Sequence, residues 1–338
     1  MELKRIGMDT SKHVFSLHGV DAAGQVVLRR DLRRGQVEAF FAGLAPCEVV
    51  MEACGGSHHW ARRLGALGHQ VRLIPAQYVK PFVKRGKNDR ADAAAICTAA
   101  GQPDMPGVPV KSAAQQAALM LLKTRELLVR QRTQLVNALR GHAAEFGIVA
   151  ARGTAQIEAL LAAIAADPDI PPPALEALGL LSARIAQVSE QVGALDAALL
   201  AQHRANPMSR LLEGIPGVGP ITALSLALTV EPGHFASGRH FAAWIGLTPR
   251  QNSTGGKTRL GRISKAGHRR LRSLLIVGAT TVIQHVRPGR KATPPWLLDL
   301  VARKPRKLAA VALANKMART AWAMMARGEA YRRTPVPA

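Results

Sequence analysis

The sequence predicts an α/β domain at the N-terminus and a mainly helical remainder. Three observations carry this. Short apolar, β-branched runs separated by turn residues fill the first 75 or so positions, and helical periodicity takes over after them. Alanine and leucine dominate the rest, and only 4% of the 338 residues are aromatic. A 48% hydrophobic content excludes a disordered chain, and the length allows two or three domains with a sizeable core.

In chain order, Leu3–Asp9 reads as a strand with Ile6 and Met8 on one face. Val14–Val20 and Gln25–Arg30 follow as a second and third strand, joined by a turn at Asp21-Ala22-Ala23-Gly24. Gln36–Leu44 has helical spacing. Glu48–Glu52 is a short apolar run suited to a buried parallel strand. Ser57 is placed to cap a helix over His58–Leu67, and Val71–Ile74 is a last strand ended by Pro75. Three antiparallel strands followed by alternating helix and strand is the order of a ribonuclease-H-like domain. Gly101–Pro109, with three prolines and two glycines, reads as a linker.

Beyond it, Ser112 to about Phe146 is one long helix. A proline-rich break at Pro168–Pro173 precedes the clearest periodicity in the chain: Leu178, Leu181, Ile185, Val188, Val192, Leu195 and Leu199 alternate in steps of three and four. That heptad seam predicts coiled-coil packing, against Leu121, Leu128 and Leu135 of the preceding helix or against a second subunit. The expected division is residues 1–105, a helical coiled-coil region at 106–206, and a C-terminal domain at 207–330.

In that last part, Gly214-Ile215-Pro216-Gly217-Val218-Gly219-Pro220 lies between two helical segments in the pattern of a helix-hairpin-helix. Gly217 and Gly219 would let a phosphate approach the backbone and a helix N-terminus; an ordinary αα-turn fits the same residues. Thr248 to Gly267 is a glycine-rich, basic, hydroxyl-bearing loop containing Arg250, Ser253, Thr254, Lys257, Arg259, Arg262 and Lys265. It leads into a helix with Arg269, Arg270 and Arg272. It does not match a Walker loop.

Charge narrows the function. The net charge is +24, and from Thr248 to Thr334 there are 20 Lys+Arg against two acids, Asp299 and Glu329. A pI near 11.3 with clustered charge points to a polyanion, with nucleic acid the default partner. The basic residues spread over loops and helices, which disfavours a membrane surface. No apolar signal region or membrane-length span appears. Cys47, Cys54 and Cys97 lack metal spacing and read as reduced, buried residues of a cytoplasmic protein.

Against this basic background the acids stand out. Asp89 and Asp92 are three apart at the start of a helical run, so they share a face. The bland reading is an N-cap aspartate plus a solvated neighbour. Asp9 ends the first strand and Glu52 the fourth; in a ribonuclease-H-like sheet these strands are neighbours, and a helix beside them would bring Asp89 and Asp92. Four acids on one spot call for a metal, and Mg²⁺, one or two ions, suits oxygen ligands. His58, His59, Asp21, Asp31 and the four tryptophans carry only structural readings.

Three blocks make the pattern specific: Gly7-Met8-Asp9-Thr10-Ser11-Lys12, Val50-Met51-Glu52-Ala53-Cys54-Gly55, and Lys87-Asn88-Asp89-Arg90-Ala91-Asp92-Ala93. In this order they resemble the signature blocks of the DEDD insertion-sequence transposases of the IS110 type, in the IS1111 branch. Gly214 through Gly267, including Gly246-Leu247-Thr248-Pro249-Arg250, resembles the C-terminal domain of the same family. The resemblance implies a RuvC-like N-terminal domain with Asp9, Glu52, Asp89 and Asp92 as a Mg²⁺-binding tetrad. It further implies a nucleophilic serine, carried over to Ser253 with Thr254 as second candidate. Partners would be donor and target DNA, a noncoding bridge RNA that guides the reaction, and further copies of the chain in a homo-oligomer. Two rivals stay open: a RuvC-like nuclease acting by water attack, and a non-catalytic nucleic-acid-binding protein.

Overall fold

The computed structural model describes residues 2–84, 88–151, 153, 156–287 and 294–332. The chain divides into two compact units, Met1–Gln116 and Ala117–Ala338. Among the described residues no helix is long and apolar enough to cross a membrane.

The first unit is built on a five-stranded sheet. Its strands are β1 (Arg5–Asp9), β2 (Val14–Val20), β3 (Val26–Arg33), β4 (Glu48–Glu52) and β5 (Gln70–Ile74), in the order β3-β2-β1-β4-β5. β1 pairs antiparallel with β2 and parallel with β4, and β5 adds in parallel to β4. Alternation along each strand sorts side chains to two faces. Ile6, Met8, Phe15, Leu17, Val49 and Met51 form one buried layer with Trp60 and Leu64. These last two come from helix α2 (Ser57–Ala66), and Val37 and Phe41 of α1 (Val37–Ala42) join the same layer.

Residues of opposite parity face the other way. After the one-turn α3 (Ala76–Val79), helix α4 (Asp89–Ala100) lies across this second face, packing Ala95, Ile96 and Ala99 against Val50 and Ile74. The contact is close because of Gly7: a Cβ there would stand 2.6 Å from the backbone nitrogen of Cys97. Only glycine lets helix backbone rest on strand backbone at this distance.

Some expectations are corrected. Ser57 does not cap α2. Gly56 occupies that position, and the Ser57 hydroxyl bonds the backbone N–H and carbonyl of Cys54 at 3.0 Å, tying down the preceding turn. Cys54 is exposed, because it sits in the turn after β4 rather than in the sheet; Cys47 and Cys97 are buried. The proline-rich stretch runs along the sheet edge, where the N–H of Val108 donates to the carbonyl of Leu73 at 2.8 Å.

Helix α5 (Ala113–Ala144) leads into the second unit, followed by α6 (Ile157–Ala166) and α7 (Pro172–Ala205). The seam expected on α7 is the buried one: Leu178, Ile185, Val188, Val192 and Leu199 are all buried. Leu178 and Ile185 pack with Val136, Leu139 and Ala143 of α5, and Leu199 packs with Leu122. Arg125 and Asp196 pair between the two clusters. So α5 and α7 meet within one chain. On α5 the buried positions are Ala118, Leu122, Val136, Leu139 and Ala143; Leu121, Leu128 and Leu135 are half-buried. The cluster with Leu178 recruits Leu160 and Ile164 of α6, a helix the periodicity did not single out.

Next come α8 (Pro207–Glu213), α9 (Pro220–Thr229), α10 (Gly238–Trp244), α11 (Arg269–Gln284), α12 (Pro295–Arg303) and α13 (Arg306–Arg327). Leu271, Leu275, Ala279 and Ile283 of α11 share a core with Ala310, Ala314, Met317, Ala318 and Ala321 of α13, and with Leu212 of α8 and Phe241 of α10. Where a loop was expected between α10 and α11, the chain forms a hairpin of β6 (Pro249–Gln251) and β7 (Leu260–Ile263).

Candidate metal centre and hydroxyl loop

Register brings the acids together. In β1 and β4, Met8 lies beside Met51, so Asp9 and Glu52, one residue further on each strand, end neighbouring parallel strands. Gly7 and Val50, two residues before them, face α4. Asp9 and Glu52 therefore point to the α4 side of the sheet. Helix α4 begins there. Its N-cap is Asn88, whose side-chain oxygen accepts from the Arg90 N–H at 3.0 Å. That cap releases Asp89 and Asp92 from the backbone role the bland reading gave to an aspartate.

Asp9, Asp89 and Asp92 each offer a carboxylate oxygen, and the three lie within 4.8 Å of one another. Glu52 stands outside this group but feels it. Burial first, then the charge of Asp92, holds the Glu52 carboxyl above its usual range. The effect on Asp9 is larger. Burial, followed by the charges of Asp92 and Asp89, pushes its pKa up to about 6, against a smaller lowering from the Thr10 N–H. Such a carboxyl is held among like charges, a setting that a bound cation would relieve. The donor set is carboxylate oxygen alone, half-buried at Asp9, Glu52 and Asp92 and exposed at Asp89. That chemistry fits a hard divalent cation of the Mg²⁺ or Mn²⁺ class and offers nothing to a soft metal.

The cation nearest in sequence is directed elsewhere. Arg90 sits between Asp89 and Asp92, yet its Nε and one terminal nitrogen donate to Asp31 Oδ2 at 2.9 and 2.6 Å. Asp31 also accepts from the buried Ser16 hydroxyl at 2.9 Å. From sequence alone Asp31 reads as a strand-end residue; its partner is 59 positions away.

The hydroxyl loop is a separate feature of the second unit. Thr254-Gly255-Gly256-Lys257 turns the hairpin, with the Lys257 N–H donating to the Thr254 carbonyl at 3.1 Å. Gly255 and Gly256 both have positive φ, +54° and +75°, as a two-residue hairpin turn requires. The Gly-Gly pair was the missed signal for the hairpin. Ser253 precedes the turn and is exposed, its Oγ accepting the Arg259 N–H at 3.1 Å. Thr254, Lys257, Arg259 and Arg262 are exposed around it, as are Arg250 and Lys265. The hairpin base is held by Arg272, which is buried and donates to the carbonyls of Ile245 and Ala266 at 2.8 and 2.7 Å.

Two expected nucleic-acid contacts look different in the structure. Arg270 turns inward to Glu126 at 3.6 Å, whereas its neighbour Arg269 is exposed. Gly217 has φ +86°, and a Cβ there would meet the Gly278 carbonyl oxygen of α11 at 2.8 Å, so close helix packing accounts for it. Gly219 is exposed at the N-cap of α9, and a Cβ on it would meet nothing within 4 Å.

Comparison with known proteins places the chain. Residues 6–147 match a transposase family model of the DEDD IS110 type, and residues 209–293 match the model described as "Transposase IS116/IS110/IS902 family". The chain belongs to the IS110 family of transposases. It is 55% identical to the "Putative transposase y4pF/y4sB" of Sinorhizobium fredii, over 98% of this chain and 86% of that protein. It is 47% identical to the "Probable family 20 transposase" of Pseudomonas aeruginosa, over 98% and 99%. With the "Transposase for insertion sequence element IS1111A" of Coxiella burnetii it shares 40% identity over 98% and 92%. The first family match contains all four acids, and the second contains the whole hairpin.

Proposed function

We propose that this transposase cuts and rejoins DNA at a Mg²⁺-dependent RuvC-like site formed by Asp9, Glu52, Asp89 and Asp92, with Ser253 as the attacking nucleophile. The observation that carries the reading is the carboxylate cluster, with Asp9 raised to about 6 by burial and by its neighbours. The ribonuclease-H-like assignment is supported by the strand order β3-β2-β1-β4-β5, with acids at the ends of the two central strands.

Asp9, Asp89 and Asp92 would hold the cation, with Glu52 beside them. Bound there, a divalent ion would polarise the scissile phosphate and stabilise the charge that develops on its oxygens. The protein does the rest. The helix cap at Asn88 and the β1–β4 register fix the ligands before substrate arrives. Ser253 presents an exposed hydroxyl, and its bond from the Arg259 N–H leaves the hydroxyl hydrogen free to leave. Attack by Oγ on phosphorus forms a phosphoserine ester and breaks the bond to a DNA 3′ or 5′ oxygen, which leaves as a hydroxyl carrying the proton the serine gives up; attack by the hydroxyl of a second DNA end rejoins the strand and returns the proton to Ser253. Arg250, Lys257, Arg259, Arg262, Lys265 and Arg269 give a basic surface for the backbone, and the open space at the Gly219 helix cap leaves room for one phosphate. Sequence choice is assigned to a bridge RNA pairing with donor and target DNA. A protein reading duplex backbone and shape suits that division.

The test incubates the full chain with its element's end DNA, the flanking noncoding RNA and Mg²⁺, and resolves products on a denaturing gel. The expected result is a protein–DNA adduct that Ser253→Ala and Asp9→Asn both abolish and Thr254→Ala retains. Strand cleavage that persists in Ser253→Ala without any adduct favours water attack and removes the serine from the mechanism.

A further inference from the structure

Asp31 lies outside the acid cluster, on an outer strand, and nothing in the reaction needs it as a ligand. Its connections are nonetheless specific. Cross-strand partners project to the same face of a sheet. Asp9 on β1 pairs with Ser16 on β2, and Ser16 pairs with Asp31 on β3, so the three form one row beneath the start of α4. The Ser16 hydroxyl holds Asp31 Oδ1 at 2.9 Å, and Ser16 itself is buried. Asp31 Oδ2 takes two donors from Arg90, at 2.9 and 2.6 Å. Arg90 is in the first turn of α4, one residue after Asp89 and two before Asp92.

From this geometry we infer that Asp31 is a positioning residue, which through Arg90 anchors the first turn of α4 so that Asp89 and Asp92 face Asp9. The inference rests on the metal-site reading above. Two physical consequences distinguish it from a surface ion pair. First, the tether acts where the helix has least support of its own, since the first-turn N–H groups lack intrahelical partners. Second, it diverts a guanidinium that would otherwise lie between two anionic ligands and compete with a metal for them. Outer partners that orient ligands commonly alter metal affinity 10- to 100-fold when removed.

The two arms of the test separate the tether from the metal. In the metal-free full chain, hydrogen exchange is followed on peptides covering Asn88–Ala93 and, as internal reference, Ile96–Ala100. Asp31→Asn and Arg90→Leu are each expected to speed exchange several-fold in the first segment only, and Asp31→Glu to restore part of the protection. Unchanged exchange in Asn88–Ala93 for both variants overturns the tether. The second arm titrates Mn²⁺ by paramagnetic resonance. Both variants are expected to weaken binding about tenfold. The informative case is Arg90→Leu. If Arg90 acted only as a nearby positive charge, deleting it would tighten Mn²⁺ binding, and that sign overturns the proposal. Failure of the wild-type chain to bind Mn²⁺ in an Asp9-dependent way would sink the metal reading, while the exchange arm still decides the tether.

Discussion

The acid cluster and the hydroxyl hairpin are built by opposite means. The cluster draws on β1, β4 and α4, with positions from 9 to 92 joined by strand register, a glycine contact and a helix cap. The hairpin is local: 15 residues from Pro249 to Ile263, turned by two glycines and pinned at its base by Arg272. On the proposed reading the two jobs differ: groups that hold one cation need sub-ångström placement, which a packed sheet supplies, and a nucleophile that reaches DNA needs exposure, which a hairpin tip supplies. The contrast teaches that damage to the fold and damage to chemistry should separate differently in the two regions.

The largest expected effects fall on chemistry in both. Asp9→Asn should lower DNA cleavage by about 1000-fold or more, since several kcal/mol of charge stabilisation depend on the bound ion. The same change should raise the melting temperature of the metal-free chain at neutral pH, because it removes one of the mutually repelling carboxylates. Ser253→Ala should abolish the covalent adduct while shifting stability by less than about 0.5 kcal/mol, as for exposed positions generally. If Ser253→Ala unfolded the chain, or Asp9→Asn left it less stable without metal, the contrast would fail.

Next in size are the glycines. Gly217→Ala should cost about 2–5 kcal/mol in denaturant unfolding, combining a left-handed backbone with overlap on Gly278. Gly255→Ala, at an exposed turn with open space around it, should cost only the backbone strain of about 1–3 kcal/mol.

The pH response comes third. The Asp9 pKa is raised in the folded chain to about 6 from 3.8, so the folded state holds the extra proton between those values. Stability of the metal-free protein should therefore decline as pH rises from about 4 to about 6 and stay lower above that. Thermal melts across pH 4–8 check this. A divalent cation should stabilise the chain more at pH 7.5 than at pH 5, and Asp9→Asn should flatten the metal-free profile.

The smallest effect tests the basic surface. Arg262→Ala should lower the slope of log affinity for DNA against log salt by about one, as for one lost phosphate contact. Arg270→Ala should leave the slope unchanged, because Arg270 faces Glu126.

Much of the first unit was legible in the sequence. Alternating runs and one short apolar run marked the five strands within a few residues, and the parallel neighbours β1 and β4 followed from their order, which placed Asp9 beside Glu52. The heptad on α7 named five of its six buried residues, with Leu181 and Leu195 half-buried, because a repeat of three and four leaves one choice of face. What escaped had partners far away in sequence or a short signal. Asp31 reads as a strand-end acid until Arg90 is folded against it. Arg272 looks like its basic neighbours until its buried bonds to Ile245 and Ala266 are seen. Gly217 resembles a phosphate loop, and only the fold brings Gly278 up to it. The hairpin was concealed by flanks that are exposed and polar, so no apolar alternation marked them as strands.

The most direct test of the central claim is a crystal of the full chain soaked with Mn²⁺ and measured for anomalous scattering. The account predicts a peak at bonding distance, about 2.0–2.2 Å, from carboxylate oxygens of Asp9, Asp89 and Asp92. A well-occupied peak elsewhere, with those three carboxylates bare, would contradict it.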